Sequence, residues 1–217
     1  MSPTIIVYLI LLLIALFIYG RAFSSGKPYI RILFFYLFLN LCLTILSMGI
    51  ARFGVTNNLF LFHVFTPIEY GCICLFYLSI IGDPRIRRVI RISIPLFVLL
   101  CIVFAFFVQT LMENNSYIAI AESILIVCWT LLFLREVLLF NPVTALHNYP
   151  LFWITAGILI YFTENLVLDG VLSYLIKNTP SLAKLVYRVS FVFNDIFLIA
   201  LSIGAMYQVR ADLKETG

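Results

Sequence analysis

Seven long apolar stretches, separated by short polar connections, run along the whole chain. They cover approximately residues 4–19, 32–51, 59–82, 92–110, 117–140, 151–169 and 185–208. A helix that crosses a bilayer needs about 20 apolar residues, each adding about 1.5 Å of length. The pattern therefore predicts an all-α, polytopic membrane protein in which residues 1–217 form a single bundle of seven transmembrane helices.

The composition supports this prediction and excludes other classes of protein. Hydrophobic residues make up 64% of the chain and charged residues 11%, whereas soluble domains average about 45–50% apolar and about 25% charged residues. No polar segment is long enough for a soluble domain. The lipid bilayer is the expected surrounding, and the net charge of +4 is attributed to membrane topology and not to nucleic-acid binding.

The basic residues predict the orientation of the bundle. Most of the 14 Lys and Arg residues fall on one side of the alternating spans, and cytoplasmic connections usually carry this excess. We expect a multi-pass protein of the inner (plasma) membrane with its N-terminus outside and its C-terminus inside. Residues 83–91, DPRIRRVIR, are expected to form a cytoplasmic loop, and residues 170–184 an outer loop along the membrane surface.

The third stretch combines a span-length apolar run with His63, Pro67 and Glu69. Counting from Leu59, Glu69 lies about 15 Å into the helix, close to the bilayer midplane. A charge at that depth costs several kcal/mol, so Glu69 should be protonated, paired or facing a water-filled cavity. Pro67 removes a backbone hydrogen-bond donor and is expected to kink this helix one turn from Glu69.

Other polar residues fall at a similar depth when neighbouring helices run in opposite directions, which collects them in the outer half of the bundle. Charged groups within a membrane usually mark a functional site. The predicted ligand-binding residues are Glu69, His63, Glu122, Glu164, Asn165, Arg188, Asn194 and Asp195.

Structural roles for these residues remain open alternatives. Glu164 is expected to pair with Arg188, and Glu69 can bond to a hydroxyl such as that of Thr66. Glu122 lies close enough to the start of its helix to reach the interface. In the second stretch, Asn40, Thr44 and Ser47 share one helical face, which we attribute to hydrogen bonds between helices.

Familiar catalytic and metal sites are missing from the sequence. Its two histidines are too few for a multi-histidine metal site, and no GxSxG, HExxH or phosphate-binding glycine loop occurs. We therefore expect no metal and no cofactor, and the sequence identifies no catalytic residue. A Glu69/Glu122 acid–base pair stays open as a weaker alternative.

An internal duplication is a further hypothesis. LFFYLF in the second stretch matches LFWITA in the sixth, and VFTPI in the third matches VFNDI in the seventh. Such a match suggests two parallel triplets of helices joined by the fourth helix, an arrangement found among transporters.

Several segments also resemble a group of uncharacterised seven-helix inner-membrane proteins of Bacteroidetes-type bacteria. The resemblance rests on HVFTPIEY at residues 63–70, Glu122–Ser123, and the stretch NPVTALHNYPLFWITAGILIYF at residues 141–162. It implies a bacterial inner-membrane location and no particular chemistry.

Together these features favour a receptor-like or sensory binding module. An outward-facing polar pocket suits a small-molecule or lipid ligand, and short basic connections suit a cytoplasmic signalling partner. The alternatives are a small-solute or proton-coupled transporter, and an intramembrane enzyme that acts on a lipid through paired carboxylates.

The predicted orientation is tested by reporter fusions. A reporter that works only in the cytoplasm should be active when fused after Gly217, because the C-terminus is expected inside. The same reporter inserted within residues 112–116 should be silent. The opposite pattern would reverse the orientation and, with it, the side to which the polar pocket opens.

Overall fold

The computed structural model describes residues 3–53, 58–111, 115–140 and 146–216, and these residues include no β-strand. Each of the helices α1 to α7 contains a stretch long and apolar enough to cross a membrane, which confirms the predicted all-α fold with seven candidate transmembrane helices. The helices are α1 Pro3–Ala22, α2 Pro28–Arg52, α3 Phe60–Ile80, α4 Pro84–Phe107, α5 Ser116–Phe140, α6 Pro150–Asn178 and α7 Pro180–Thr216.

Residues 84–91 of the arginine-rich segment are helical, so the prediction of a loop at residues 83–91 was wrong. The Asp83 carboxylate accepts a hydrogen bond from the backbone N–H of Arg85 over 2.7 Å, and Pro84 occupies the first helical position. An aspartate cap followed by proline is a favourable helix start. The four arginines of this segment therefore lie on the first turns of α4.

The predicted outer loop at residues 170–184 was also wrong. Helix α6 continues to Asn178, and α7 begins at Pro180 after the single connecting residue Thr179. The 29 and 37 residues of these helices correspond to about 43 and 55 Å, more than the hydrocarbon thickness of about 30 Å. The α6–α7 hairpin is therefore longer than a bilayer requires.

Six helices form a closed ring, and the seventh packs on its outside. Neighbours contact one another in the order α1, α2, α3, α5, α6, α7 and back to α1, while α4 packs against α3 and α5. On α4 the buried side includes Ile90, Phe97 and Cys101. Phe97 packs against the ring of Tyr70 with 4.2 Å between centroids, and the Tyr70 hydroxyl donates to Ser93 over 2.7 Å.

The two ends of the ring differ in their interiors. We call the end with the start of α1 and the α2–α3, α4–α5 and α6–α7 connections the cavity end, and the opposite end the packed end. At the packed end the hydroxyls of Tyr77 on α3 and Thr130 on α5 share a hydrogen bond of 2.5 Å. Tyr29 donates to the side-chain oxygen of Gln208, which joins α2 to α7.

Small residues let α6 and α7 approach closely. A Cβ atom placed on Gly157 would lie 2.8 Å from Cβ of Ala200. At Gly204 it would lie 2.5 Å from Cγ1 of Ile154 and 2.8 Å from the carbonyl oxygen of Pro150. Helices in membranes associate largely through such close packing, because lipid offers no hydrophobic drive between them.

This packing predicts the effect of adding one methyl group. Gly204→Ala should lower the stability by about 1–3 kcal/mol, the usual cost of overpacking, because the backbone oxygen of Pro150 cannot move aside like a flexible side chain. Gly71→Ala is the matched control, since a Cβ there meets nothing within 4 Å. Thermal unfolding in one detergent measures both. Equal melting temperatures for the two variants would contradict the close α6–α7 contact.

Candidate functional site

A cavity of about 500 Å³ lies inside the ring at the cavity end. All six ring helices contribute side chains to its lining, whereas no described residue of α4 reaches it. Its carboxyl groups belong to Glu69, Glu122 and Asp169. Its amide groups belong to Asn40, Asn58, Asn115, Asn165 and Asn194.

Glu69 enters the cavity from α3 and is only 9% exposed. The Tyr36 hydroxyl on α2 donates to its Oε1 over 2.7 Å, so the partner is a neutral phenol. The expected bond to Thr66 is not formed. Thr66 instead donates to the carbonyl of Phe62 over 2.9 Å and accepts from Asn115 over 2.9 Å.

Glu122 enters from α5 and is the more isolated carboxyl group. It is only 4% exposed, so its side chain is enclosed by the protein. Its Oε1 is buried and has no hydrogen-bond partner. Burying a polar atom without a partner costs about 1–3 kcal/mol, and more for a charged group. An atom of this kind in a cavity wall marks a place where a ligand can bind.

Aromatic rings pack beside these carboxyl groups. Tyr161 lines the cavity and stacks on Phe197 with 4.7 Å between ring centroids. Phe197 also packs edge-on against Tyr36 at 6.2 Å, and Tyr36 holds Glu69. Helices α2, α3, α6 and α7 are therefore joined around Glu69 by three rings and one hydrogen bond.

Half of the predicted ligand-binding residues line the cavity: Glu69, Glu122, Asn165 and Asn194. His63, Glu164, Arg188 and Asp195 do not belong to its lining. His63 is half-buried, and Oδ1 of Asp195 is buried without a hydrogen-bond partner.

The expected pairing of Glu164 with Arg188 is not formed. Both carboxyl oxygens of Glu164 are buried without a hydrogen-bond partner, whereas Arg188 is exposed. Arg188 precedes the cavity-lining Asn194 by six residues, which turns it about 120° around α7. Similar depth on two helices thus did not bring the two side chains to the same face.

Sequence reasoning missed other lining residues, above all Asp169 at the end of the sixth predicted stretch and Tyr8 on α1. The polar face of α2 also lines the cavity. Asn40 and Thr44 donate to carbonyls of their own helix, and Ser47 accepts from Asn58 over 2.5 Å. The sequence interpretation assigned this face to hydrogen bonds between helices, and it did not predict that the face lines a cavity.

A repeated spacing, visible in the sequence, would have identified part of the lining. Tyr36, Asn40 and Leu43 on α2 have the same spacing as Tyr161, Asn165 and Leu168 on α6. All except Tyr36 line the cavity.

The same displacement along the chain relates α3 to α7. It places Phe65, Thr66 and Glu69 on Ser190, Phe191 and Asn194, all of which line the cavity. The LFFYLF and VFTPI matches require two different displacements. The residue pairs of α2 and α6 named above are of the same type, whereas those of α3 and α7 differ, so the duplication stays a hypothesis.

The electrostatic character of the site is strongly acidic. Glu69, Glu122 and Asp169 interact electrostatically with one another, and the described lining residues include no Lys, Arg or His. A buried carboxyl group without a counter-ion is more stable uncharged, and a cation placed beside it stabilises the ionised form. The arrangement therefore favours a ligand that carries positive charge or donates hydrogen bonds.

Comparisons with known proteins suggest no function, so a function has to be proposed from this geometry. No protein-family model, curated protein or solved structure matches the chain. Within the described part of the chain, no three His, Cys, Asp or Glu residues are grouped so that they could hold a metal ion.

The Tyr36–Glu69 bond predicts an energetic coupling between α2 and α3. Tyr36→Phe should lower stability by about 1–3 kcal/mol, because it leaves a buried carboxyl oxygen without its donor. Glu69→Ala should cost at least as much, through the cavity that it leaves. The double variant should lose less stability than the sum of the two single losses. Chemical unfolding in detergent measures all three. Strict additivity would show that the bond contributes nothing.

Proposed function

We propose that the protein is a receptor-like, sensory binding module of the inner (plasma) membrane, with its cavity open to the outer side. The observation that carries this proposal is the contrast between the two ends of the ring. A cavity of about 500 Å³ occupies one end, within the range of about 300–1,000 Å³ typical of small-molecule sites. At the other end buried side chains close the inside of the ring, and the apolar pocket of about 210 Å³ there is lined by residues of α5 and α6 together with Leu146 and Tyr149.

The packed end closes the floor of the cavity. Ile126 lies one turn along α5 from Glu122 and is fully buried. Thr130 follows after another turn and is bonded to Tyr77. A ligand that enters from the cavity end therefore meets a closed interior, which suits a binding protein and not an open pathway.

The charge distribution supports contact with a partner inside the cell. The basic first turns of α4 lie at the packed end, where Arg85, Arg88 and Arg91 are exposed. With the orientation expected from the basic residues, these arginines face the cytoplasm and offer a surface to an acidic segment of a signalling partner.

A carrier is the second candidate function, because one displacement along the chain relates lining residues of α2 to α6 and of α3 to α7. Parallel repeats of this kind occur in transporters that open alternately to both sides. The two candidates differ in one respect: a carrier has to open the packed end, whereas a sensor keeps it closed.

Cysteine labelling distinguishes the two candidates. In a variant without the 5 native cysteines, Thr44→Cys places a thiol on the cavity wall and Ile126→Cys places one in the packed interior. A membrane-impermeant maleimide should label Thr44→Cys from outside the cell, because the cavity opens there. It should leave Ile126→Cys unlabelled in both whole cells and inverted vesicles.

Each other result has a defined meaning. Labelling of Ile126→Cys in inverted vesicles would establish the carrier. Labelling of Thr44→Cys only in inverted vesicles would reverse the orientation, and its absence on both sides would refute an open cavity.

A further inference from the structure

We propose that the ligand of this cavity is a small organic ammonium ion, held by the carboxylates of Glu122 and Glu69. The proposal rests on the binding function proposed above and specifies the chemical class of the ligand. It starts from Glu122, whose side chain is more than nine-tenths buried and lines the cavity.

The protein itself offers Glu122 no counter-ion. Its Oε1 has no hydrogen-bond partner, and the described residues around the cavity are free of Lys, Arg and His. A buried carboxylate loses its hydration, so it needs a cationic partner whose Coulomb attraction replaces that loss. An ammonium group supplies both a positive charge and, in primary amines, N–H donors for that oxygen.

Glu69 and Asp169 also favour a cation in the cavity. Glu69 is fixed by the Tyr36 hydroxyl on one oxygen, and Asp169 lines the cavity from α6. Both act electrostatically on Glu122. A cation between them relieves the repulsion among these carboxyl groups, while an anionic ligand would increase it.

The lining also fits the organic part of such a ligand. Tyr8, Phe62, Phe65, Tyr161 and Phe191 provide aromatic surface in the cavity wall. An ammonium group within about 6 Å of a ring centroid is attracted electrostatically by the face of the ring. Asparagine and serine side chains in the same wall suit a hydroxyl on the ligand, so amino alcohols are the best-matched class.

An inorganic cation fits less well. Hard metal ions need about six oxygen ligands in close geometry, and the described residues contain no group of three acidic, histidine or cysteine side chains placed for a metal ion. A cavity of about 500 Å³ with aromatic walls is far larger than one ion. Its volume suits a ligand with a carbon skeleton.

The test compares two molecules of nearly equal shape. Choline and its uncharged carbon isostere, 3,3-dimethylbutan-1-ol, are titrated into the purified full chain by calorimetry, in a detergent without ammonium groups. Choline should bind at least ten-fold more tightly, because only it carries the charge. Equal affinities for choline and its isostere, or no binding of either choline or the primary amine ethanolamine, would refute the ammonium proposal.

Matched variants identify the carboxylate that binds the charge of choline. Glu122→Gln should weaken choline binding at least ten-fold, since it removes the charge and keeps the shape. Glu136→Gln is the control, because it makes the same change on the same helix at the packed end, where Glu136 accepts from the backbone N–H of Gly82 over 2.9 Å. Equal weakening in both variants would refute a role specific to Glu122.

Protection of a cysteine gives a readout that does not depend on folding of Glu122→Gln. Choline should slow maleimide labelling of Thr44→Cys, and the uncharged isostere should not. Labelling that is unaffected by choline would refute the ammonium ligand and leave the open cavity intact. Absence of any labelling would refute the binding function itself.

The source of the ammonium is tested in nanodiscs. Phosphatidylethanolamine carries a primary ammonium group in its headgroup, whereas phosphatidylglycerol carries no amine. Slower labelling of Thr44→Cys in phosphatidylethanolamine discs without added choline would identify a lipid headgroup as the ligand. Equal labelling in both lipids, with protection by choline, would identify a free amine.

Discussion

Polar groups at membrane depth must be kept away from hydrocarbon, and the ring of six helices serves this requirement. Carboxyl and amide groups on the lipid side would lose water without gaining a partner. Here they point inward from α2, α3, α5, α6 and α7 and share one cavity. Helix α4 carries no described lining residue and completes the bundle from outside, where it packs against α3 and α5.

The sequence predicted the apolar helices from their local pattern. It failed where one local signal was given more weight than another, and where contacts between helices determine the structure. Apolar length was sufficient to predict seven candidate transmembrane helices, and the depth of Glu69 was sufficient to single out a residue that lines the cavity. The arginines suggested a loop at residues 83–91 because charge was weighed above the Asp83–Pro84 helix start. The partner of Glu69, Tyr36, lies on another helix, and no spacing along the chain reveals such a contact.

Under the hypothesis of a duplication, lining residues that correspond between the two halves differ in chemistry. In the shared register Asn40 corresponds to Asn165, whereas Thr44 corresponds to Asp169 and Glu69 to Asn194. A carboxyl group in one half thus corresponds, along the chain, to an amide or hydroxyl in the other. A ligand with one charged end and one hydroxyl end would bind in a single orientation, because only one arrangement matches both halves.

Helix α5 connects the cavity to the basic surface at the packed end. Glu122 lies at its cavity end, and Glu136, about 21 Å further along, accepts from the backbone N–H of Gly82. Gly82 directly precedes Asp83, which caps the arginine-rich start of α4. Thr130, between the two glutamates, is tied to Tyr77 of α3. If the proposed cation displaces α5, the movement would therefore reach α3 through Thr130 and the α3–α4 connection through Glu136, by one direct bond in each case.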